Sequence, residues 1–487
     1  MSFLSRKKLN EVPRDVDLSE LERDSRYRIF SGGMKVFLTV VLTCFALFQL
    51  YASLSGRLPQ QILRYGHLGF AISLAFIIYP TTKKSSRRTV NMLDVIFALA
   101  FLTVIGYFIG NFKALQLRAG EYTALDTVMA GLGVFLVLLA CWRVVGPPIV
   151  IIASCFMIYG LMGARGLFAV QMPGFLAQRG YQLPRIITHL FITTEGVIGN
   201  PIGVCSTYIF LFILFGSCLE KTGIGQFFID LANALAGWAV GGPAKVAVIA
   251  SALMGMINGS AIANVATTGT ITIPLMKKTG YKKDFAAAVE AVASTGGQFT
   301  PPIMGAVGFV MAEFMCVSYT KVMLAAAIPA FLYYLSLLYS VHLEAKRLGL
   351  SGLSKENIPQ AGKVLRERGH LLIPLVVLLA LMFAGYTPLF AAIIAIFVTI
   401  PVSWIRKETR MDLETIVRAT VEGSRSAIGV GISCIIIGVI IGSVNMTSLG
   451  LNFGNLILRV VGDGHLFLGG LMVMIMSIIL GMGVPGV

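Results

Sequence analysis

Two clusters of small polar residues interrupt apolar runs between residues 254 and 302. The first cluster runs from Asn258 to Asn264 and reads NGSAIAN, and the second runs from Ser294 to Pro302 and reads STGGQFTPP. Side-chain hydroxyl and amide oxygens, together with backbone carbonyls, are the ligands that hard cations prefer. Inside a bilayer a broken helix is tolerated only where it is buried in protein or lines a cavity. We therefore expect the two clusters to form a ligand site, provided that the chain spans a membrane.

The composition predicts a polytopic membrane protein. Of the 487 residues, 56% are hydrophobic and only 13% are charged, and the mean hydropathy is +0.83. Many windows lack charges over about 20 residues, which is the length that crosses a bilayer core. The net charge of +16 comes from Lys and Arg in short loops between apolar runs, as is typical of cytoplasmic loops, so it does not indicate nucleic-acid binding.

The cysteines and histidines give little support for metal, redox or catalytic chemistry. The seven cysteines are scattered through apolar segments without a C-x-x-C pair, and the five histidines are widely separated. Metal and redox chemistry are therefore not expected, and no catalytic residue is predicted.

Hydropathy and loop charge divide the chain into five parts. Lys83, Lys84 and Arg87 mark a cytoplasmic loop, which also places the N-terminus in the cytoplasm. The predicted parts are a cytoplasmic tail (1–33), four scaffold spans (34–143), a first transport half (144–343), a cytoplasmic linker (344–369) and a second half (370–487).

The two polar clusters fall within a predicted hairpin and a predicted broken helix. Residues 244–276 form two apolar halves, each too short to cross, so they predict a re-entrant hairpin with a polar tip. The helix expected at 284–314 is interrupted at STGGQFTPP, where Gly296 and Gly297 lack side chains and Pro301 and Pro302 lack donors.

The second half of the sequence repeats the first. TTEG at 193–196 recurs as TVEG at 420–423, and TGIG at 222–225 recurs as TSLG at 447–450. The period is about 225 residues, and we count an odd number of crossings between the two hairpins. These features predict inverted repeats, as in many secondary transporters. At that offset Ser260 corresponds to Pro485, so we expect the chain to stop at the tip of the second hairpin and to be part of a longer one.

Three stretches resemble the membrane component of tripartite ATP-independent periplasmic (TRAP) transporters: GSAIANVATTGTITIPLMKKTGY, VEAVASTGGQFTPPIMGA and the terminal GMGVP. The arrangement resembles the fused form, in which a four-span small subunit precedes the large one. The resemblance implies an all-α, inverted-repeat, elevator-type fold with re-entrant helical hairpins. It also implies an inner-membrane importer that takes organic anions from an extracytoplasmic solute-binding protein and uses Na⁺ as the coupling ion, without another cofactor.

The candidate ligands follow from these breaks and from the resemblance. The expected sodium ligands are Ser260, Asn264, Ser294, Gly297 and Thr300. The expected substrate contacts are Asn258, Thr267, Thr268, Thr270, Thr295, Pro301 and Pro302, because half-helix N-termini and hydroxyls favour a carboxylate. The incomplete second-repeat site is expected at Gly481, Gly483 and Pro485. Small polar residues also serve close helix packing, which is the alternative for any single Thr.

Charged residues within apolar segments are functional candidates by default. Glu290 and Glu313 are candidates for a proton or substrate relay. Alternatively, Glu290 pairs with Lys282 or Lys283, and Glu313 lies at the outer interface. Arg143, at the end of a span, is expected to be an interfacial anchor.

Three other functions stay open from the residues alone. A stand-alone carboxylate or inorganic-anion symporter could share the hairpin fold, although four leading spans argue against it. A polytopic membrane enzyme would need a nucleophile, metal cluster or acid pair, which the sequence does not show. A channel fits the predicted inverted hairpins less well than alternating access does.

Overall fold

The computed structural model describes residues 27–81, 86–87, 89–170, 174–353, 358–461 and 466–481. Within these residues the regular structure is helical and contains no strand. Seven of the described helices are long and apolar enough to cross a membrane by length and composition. The chain is therefore an all-α, polytopic membrane protein, as its composition predicts.

The first group of helices corresponds to the four predicted scaffold spans. Each long helix begins and ends within about five residues of its predicted bounds, because the apolar windows are flanked by clear polar loops. The helices are α1 (Gly33–Ser55), α2 (Gln60–Ile78), α3 (Met92–Gly110), the short α4 (Phe112–Leu117) and α5 (Ala124–Val144).

The second group carries the predicted hairpin and broken helix. Its helices are α6 (Pro147–Leu161), α7 (Leu183–Ile192), α8 (Asn200–Lys221, with a π-helical turn at Cys205–Ile209), α9 (Ile224–Ala236), α10 (Gly242–Asn258), α11 (Ala261–Lys278), α12 (Lys283–Thr295), α13 (Ala306–Phe314) and α14 (Tyr319–Arg347).

The last group follows the same order of a long helix, an amphipathic helix and an apolar helix that the repeat predicts. Its helices are α15 (Ala361–Arg368), α16 (Ile373–Phe383), α17 (Pro388–Ser403), α18 (Leu413–Met446), α19 (Leu449–Val461) and α20 (Leu466–Gly481).

Helix α14 continues to Arg347, so the first residues of the predicted linker (344–369) are helical. Arg347 forms an ion pair with Glu344, at 2.7 Å, one turn earlier on the same helix. Basic residues also favour the C-terminal end of a helix. The last turn of α14 is thus polar and helical, which an apolar window cannot detect.

Helix α18 is the central element of the scaffold and packs against α1, α2, α5, α6 and α8. Glycines on α18 permit this close approach. A Cβ on Gly438 would lie 2.5 Å from the carbonyl oxygen of Gly196, and one on Gly442 would lie 2.9 Å from that of Glu195. Small residues at such crossings let membrane helices pack backbone against backbone.

Arg143 is not an interfacial anchor, contrary to the expectation from its place at the end of a span. Its side chain is 1% exposed and lies 2.6 Å from Asp94, which also binds Arg28 at 2.5 Å. Thr81 donates a further hydrogen bond to Asp94 at 3.0 Å. A buried carboxylate needs paired charges and donors, so this cluster ties the segment before α1 to α3 and α5.

The helices around the predicted hairpin pack through small clusters of their own. Ala244, Val248 and Val289 belong to one cluster that joins α10, α12 and α14. Ala232 and Val246 belong to another that joins α9 and α10. The large core of the scaffold is a third cluster, and it includes Met254 and Ile257 near the tip of the hairpin and Phe309 and Ala312 of α13.

Candidate functional site

The predicted hairpin is formed by α10 and α11, and its tip is shorter than the sequence suggested. Gly259 ends α10 with a φ of 59°, a left-handed conformation that suits glycine. Ser260 is the N-cap of α11, and its side chain accepts a hydrogen bond from the amide of Ala263 at 3.4 Å. The tip is thus two residues wide, and Asn264 lies within the first turns of α11 rather than in an open loop.

The hairpin packs directly against the break in the helix that follows it. A Cβ on Gly255 would lie 2.5 Å from the Cα of Gly297, so the two backbones touch. A Cβ on Gly259 would lie 2.0 Å from the carbonyl oxygen of Met304. The amide of Ile303 also donates to the carbonyl of Met256 at 3.4 Å. The structure therefore brings the two polar clusters of the sequence together.

The broken helix consists of α12, a 3-10 turn at Gly296–Phe299, an irregular segment and α13. Several of its carbonyls already have donors. The hydroxyl of Thr300 donates to Gly296 at 2.6 Å, and the amide of Gly305 donates to Gln298 at 2.6 Å. The carbonyl of Pro302, which follows Pro301 through a cis peptide bond, accepts from the Tyr319 hydroxyl at 2.9 Å.

Asn264 is fully buried beside this contact. Its Nδ2 donates to the carbonyl of Ser251 at 2.7 Å, whereas its Oδ1 has no hydrogen-bond partner among the described residues. A buried amide oxygen without a donor is costly unless a ligand satisfies it. This oxygen fits a hard cation, which is coordinated by oxygen. The Nδ2 of Asn258, at the end of α10, also lacks a partner within the described residues.

The predicted threonine contacts point in different directions. Thr267 donates to Glu220 on α8 at 3.2 Å, whereas Thr268 faces the interior of the hairpin. Thr270 and Thr295 are exposed, and their hydroxyls donate to carbonyls of their own helices. The structure thus does not gather these four hydroxyls at one point.

Glu290 lies at the centre of a buried hydroxyl cluster and is fully buried. Its Oε1 lies 2.9 Å from the hydroxyl of Ser251 and 3.1 Å from that of Ser294, and also accepts from Thr268. Its Oε2 accepts from Thr272 at 2.5 Å. These donors come from α10, α11 and α12, so one carboxyl group joins both arms of the hairpin to the broken helix.

The alternative pairing of Glu290 with Lys282 or Lys283 is not found among the described residues. None of the ion pairs among the described residues includes Glu290. The carboxyl lies about two turns along α12 from those lysines, whose side chains are exposed. Glu313, by contrast, is exposed at the end of α13, beside a small cavity that Arg64 also lines.

The sequence did not single out Ser251 or Thr272, although both contact Glu290. Thr272 lies one turn after Thr268 on α11, which is a usable signal for a shared face. Ser251 lies in an apolar stretch of α10 and carries no such signal.

The second-repeat site is largely outside the described residues: Gly481 ends α20, whereas Gly483 and Pro485 lie beyond it.

Comparison with protein families gives one match over most of the chain. Residues 132–487 match the family described as "Tripartite ATP-independent periplasmic transporter, DctM component". The matched range includes the hairpin, the broken helix and the second half.

Individual relatives match shorter parts of the chain, at 26–31% identity. The chain is 31% identical over 185 residues to the C4-dicarboxylate TRAP transporter large permease protein DctM of Vibrio cholerae, which covers 38% of this chain and 40% of that protein. It is 28% identical over 185 residues to the sialic acid TRAP transporter large permease protein SiaM of the same species, covering 38% and 43%. It is 26% identical over 266 residues to the uncharacterized protein YgiK of Salmonella typhimurium, covering 54% and 60%. The chain thus spans about half the length of these relatives.

Proposed function

This chain belongs to the DctM component family of tripartite ATP-independent periplasmic transporters, and from that premise we propose that it is the permease of a secondary transporter that imports organic anions. The family consists of transport proteins rather than enzymes. The observation that carries the proposal is the contact between the hairpin tip and the broken helix, because paired breaks of this kind form ligand sites in transporters.

The proposed coupling ion is Na⁺, held where α11 begins and the 3-10 turn of the broken helix ends. The unpartnered Oδ1 of Asn264 is the strongest support for this site, since it is a buried oxygen that needs a partner. Ser260, Ser294, Gly297 and Thr300 are the other proposed ligands. When bound, the cation would supply positive charge at the junction, and these residues would supply oxygens without a full charge of their own.

The proposed substrate class is a small carboxylate. The N-terminus of α11 faces the tip region, and helix N-termini attract anions. Two relatives support this class, since their printed names specify a C4-dicarboxylate and sialic acid. Asn258, Thr267, Thr268, Thr270, Thr295, Pro301 and Pro302 stay proposed contacts, although the hydroxyls diverge in this conformation.

The proposed partner is an extracytoplasmic solute-binding protein, and the proposed location is the inner membrane with the N-terminus in the cytoplasm. The family name supports the first, and the basic loop residues support the second. An elevator motion is proposed for the hairpin and the broken helix. Two packing clusters, which include Val246 and Val248, join the hairpin to α9, α12 and α14 and support a unit that moves as a body. The scaffold core meets this unit at Met254, Ile257 and Phe309.

Uptake by proteoliposomes tests this function. The full-length permease is reconstituted and assayed with labelled succinate and sialic acid, with and without Na⁺ and with and without the binding protein. The proposal expects uptake of a carboxylate only when both are present. Equal uptake in the absence of both would contradict it.

A further inference from the structure

Glu290 has an environment that the proposed transport function does not by itself explain. It is an acidic residue with no exposed surface, and its partners among the described residues are hydroxyls rather than cations. A buried carboxyl without a paired charge is costly, so a protein retains one only where its donors and its position compensate. The positions of those donors show which helices Glu290 connects.

The four hydroxyls around Glu290 belong to three helices. Ser251 lies on α10, Thr268 and Thr272 lie on α11, and Ser294 lies on α12 one turn after Glu290 itself. The carboxyl therefore bridges α10, α11 and α12. Without it, the start of the broken helix would lose its hydroxyl contacts with the two arms of the hairpin, which also contact each other between Ser251 and Thr268 at 3.1 Å.

The backbone of α11 is shaped to admit this carboxyl. A Cβ on Gly269 would lie 3.1 Å from the Cγ of Glu290 and 3.6 Å from its Cδ. Glycine at this position lets the two helices approach until the carboxyl reaches Thr268 and Thr272. Close approach of small residues is what strengthens polar contacts between helices in membranes.

The hydroxyl cluster around Glu290 also contacts residues of the proposed ion site. Ser251 contacts Glu290 through its hydroxyl and Asn264 through its carbonyl, at 2.9 Å and 2.7 Å. The hydroxyl of Thr268 also lies 2.8 Å from the carbonyl of Asn264. Ser294 contacts Glu290 directly at 3.1 Å. Two proposed sodium ligands from different helices are thus placed through one side chain.

We propose that Glu290 is a positioning residue that fastens the hairpin to the broken helix. It thereby holds the side chains of Asn264 and Ser294 in position for cation binding. This inference rests on the proposed function and adds a residue that acts through others rather than on the substrate. When ionised, the carboxyl would also favour a cation nearby, because a charge in a poorly solvated region acts over several ångströms.

Two variants test the carboxyl and one of its contacts separately. Glu290→Gln removes the carboxyl and replaces one acceptor oxygen by a donor, with little change in shape. Thr272→Val removes one hydroxyl contact and leaves the carboxyl of Glu290 intact. Asp284→Asn is the matched control, since Asp284 lies on the same helix, carries the same charge and is exposed.

Hydrogen exchange of the full-length permease tests the fastening whatever the coupling ion is. Glu290→Gln and Thr272→Val should each raise amide exchange in α10, α11 and α12, by about tenfold for the first variant and less for the second. Asp284→Asn should leave exchange at the wild-type rate. Unchanged exchange in Glu290→Gln would overturn the inference.

Uptake measured against sodium concentration tests the link to the ion site. In Glu290→Gln, the sodium concentration for half-maximal uptake should rise at least about tenfold, whereas half-saturation by substrate at saturating sodium should stay within about twofold. An unchanged sodium dependence together with raised exchange would overturn the positioning of the ion site. If wild-type uptake itself ignored sodium, the proposed ion would be wrong, and the exchange result would still decide the fastening.

Discussion

Gly255→Ala tests whether the hairpin and the broken helix depend on direct backbone contact. The added Cβ would lie 2.5 Å from the Cα of Gly297 and 3.3 Å from its amide nitrogen. Both atoms belong to the backbone, so no rotation of a side chain can relieve the clash. The helices must separate instead, which weakens the packing around Asn264, whose Nδ2 would lie 3.3 Å from the new Cβ.

The expected cost follows from two opposing effects. Forcing an extra methyl group into a packed interior typically costs about 1–3 kcal/mol. Replacing Gly by Ala inside a helix gains roughly 0.5–1 kcal/mol from backbone entropy. The net loss in the free energy of unfolding should therefore reach at most about 2.5 kcal/mol.

Gly106→Ala isolates the steric effect. Gly106 also lies inside a helix, α3, but among the described residues no atom beyond its own helix lies within 4 Å of the position that a Cβ would take. This variant should therefore gain the entropic benefit alone. The free energy of unfolding is measured by SDS titration in mixed micelles for both variants. The difference between them should be about 1–3 kcal/mol. If Gly255→Ala were as stable as Gly106→Ala, the backbone contact would be refuted.

Three further substitutions test the buried charge cluster at Asp94, the proposed sodium site and the ion pair between α8 and α18. Asp94→Asn should lower the free energy of unfolding by about 3–5 kcal/mol, because two buried guanidinium groups lose their counter-charge; SDS titration measures this, and a loss below about 1 kcal/mol would contradict the buried cluster. Asn264→Ala should weaken the sodium dependence of uptake, and unaltered sodium activation would remove Asn264 from the proposed site. Lys221→Gln should change the free energy of unfolding by less than about 1 kcal/mol, because its partner Glu422 is half exposed; a larger loss would show that this pair joins α8 to α18 more strongly than its exposure suggests.

Much of the helical architecture could be predicted from the sequence. Apolar windows of sufficient length locate α1 to α3 and α5 within a few residues, because the bilayer imposes both the length and the absence of charge. Glycine and proline likewise locate the hairpin tip and the break between α12 and α13. These signals are local, so the sequence carries them without reference to distant contacts.

The contacts that complete the site are not local. Asp94 contacts Arg143, 49 positions away in the sequence, and Arg28, 66 positions away. A charged residue at the end of a span gives the same sequence signal whether it anchors the helix at the membrane interface or forms a buried ion pair. Glu290 meets Ser251 across 39 positions, and its hydroxyl partners resemble ordinary packing residues in the sequence. Asn264 was expected in an open tip, but the Ser260 cap starts α11 earlier and places it within the helix.

The most direct test of the proposed function is the flux of sodium driven by substrate. Proteoliposomes that contain the full-length permease are loaded with buffer and given labelled Na⁺ outside, with or without the binding protein and its carboxylate substrate. We predict that sodium entry rises when both are added, and that Asn264→Ala reduces the rise. Substrate uptake without any accompanying sodium entry would contradict the proposed coupling.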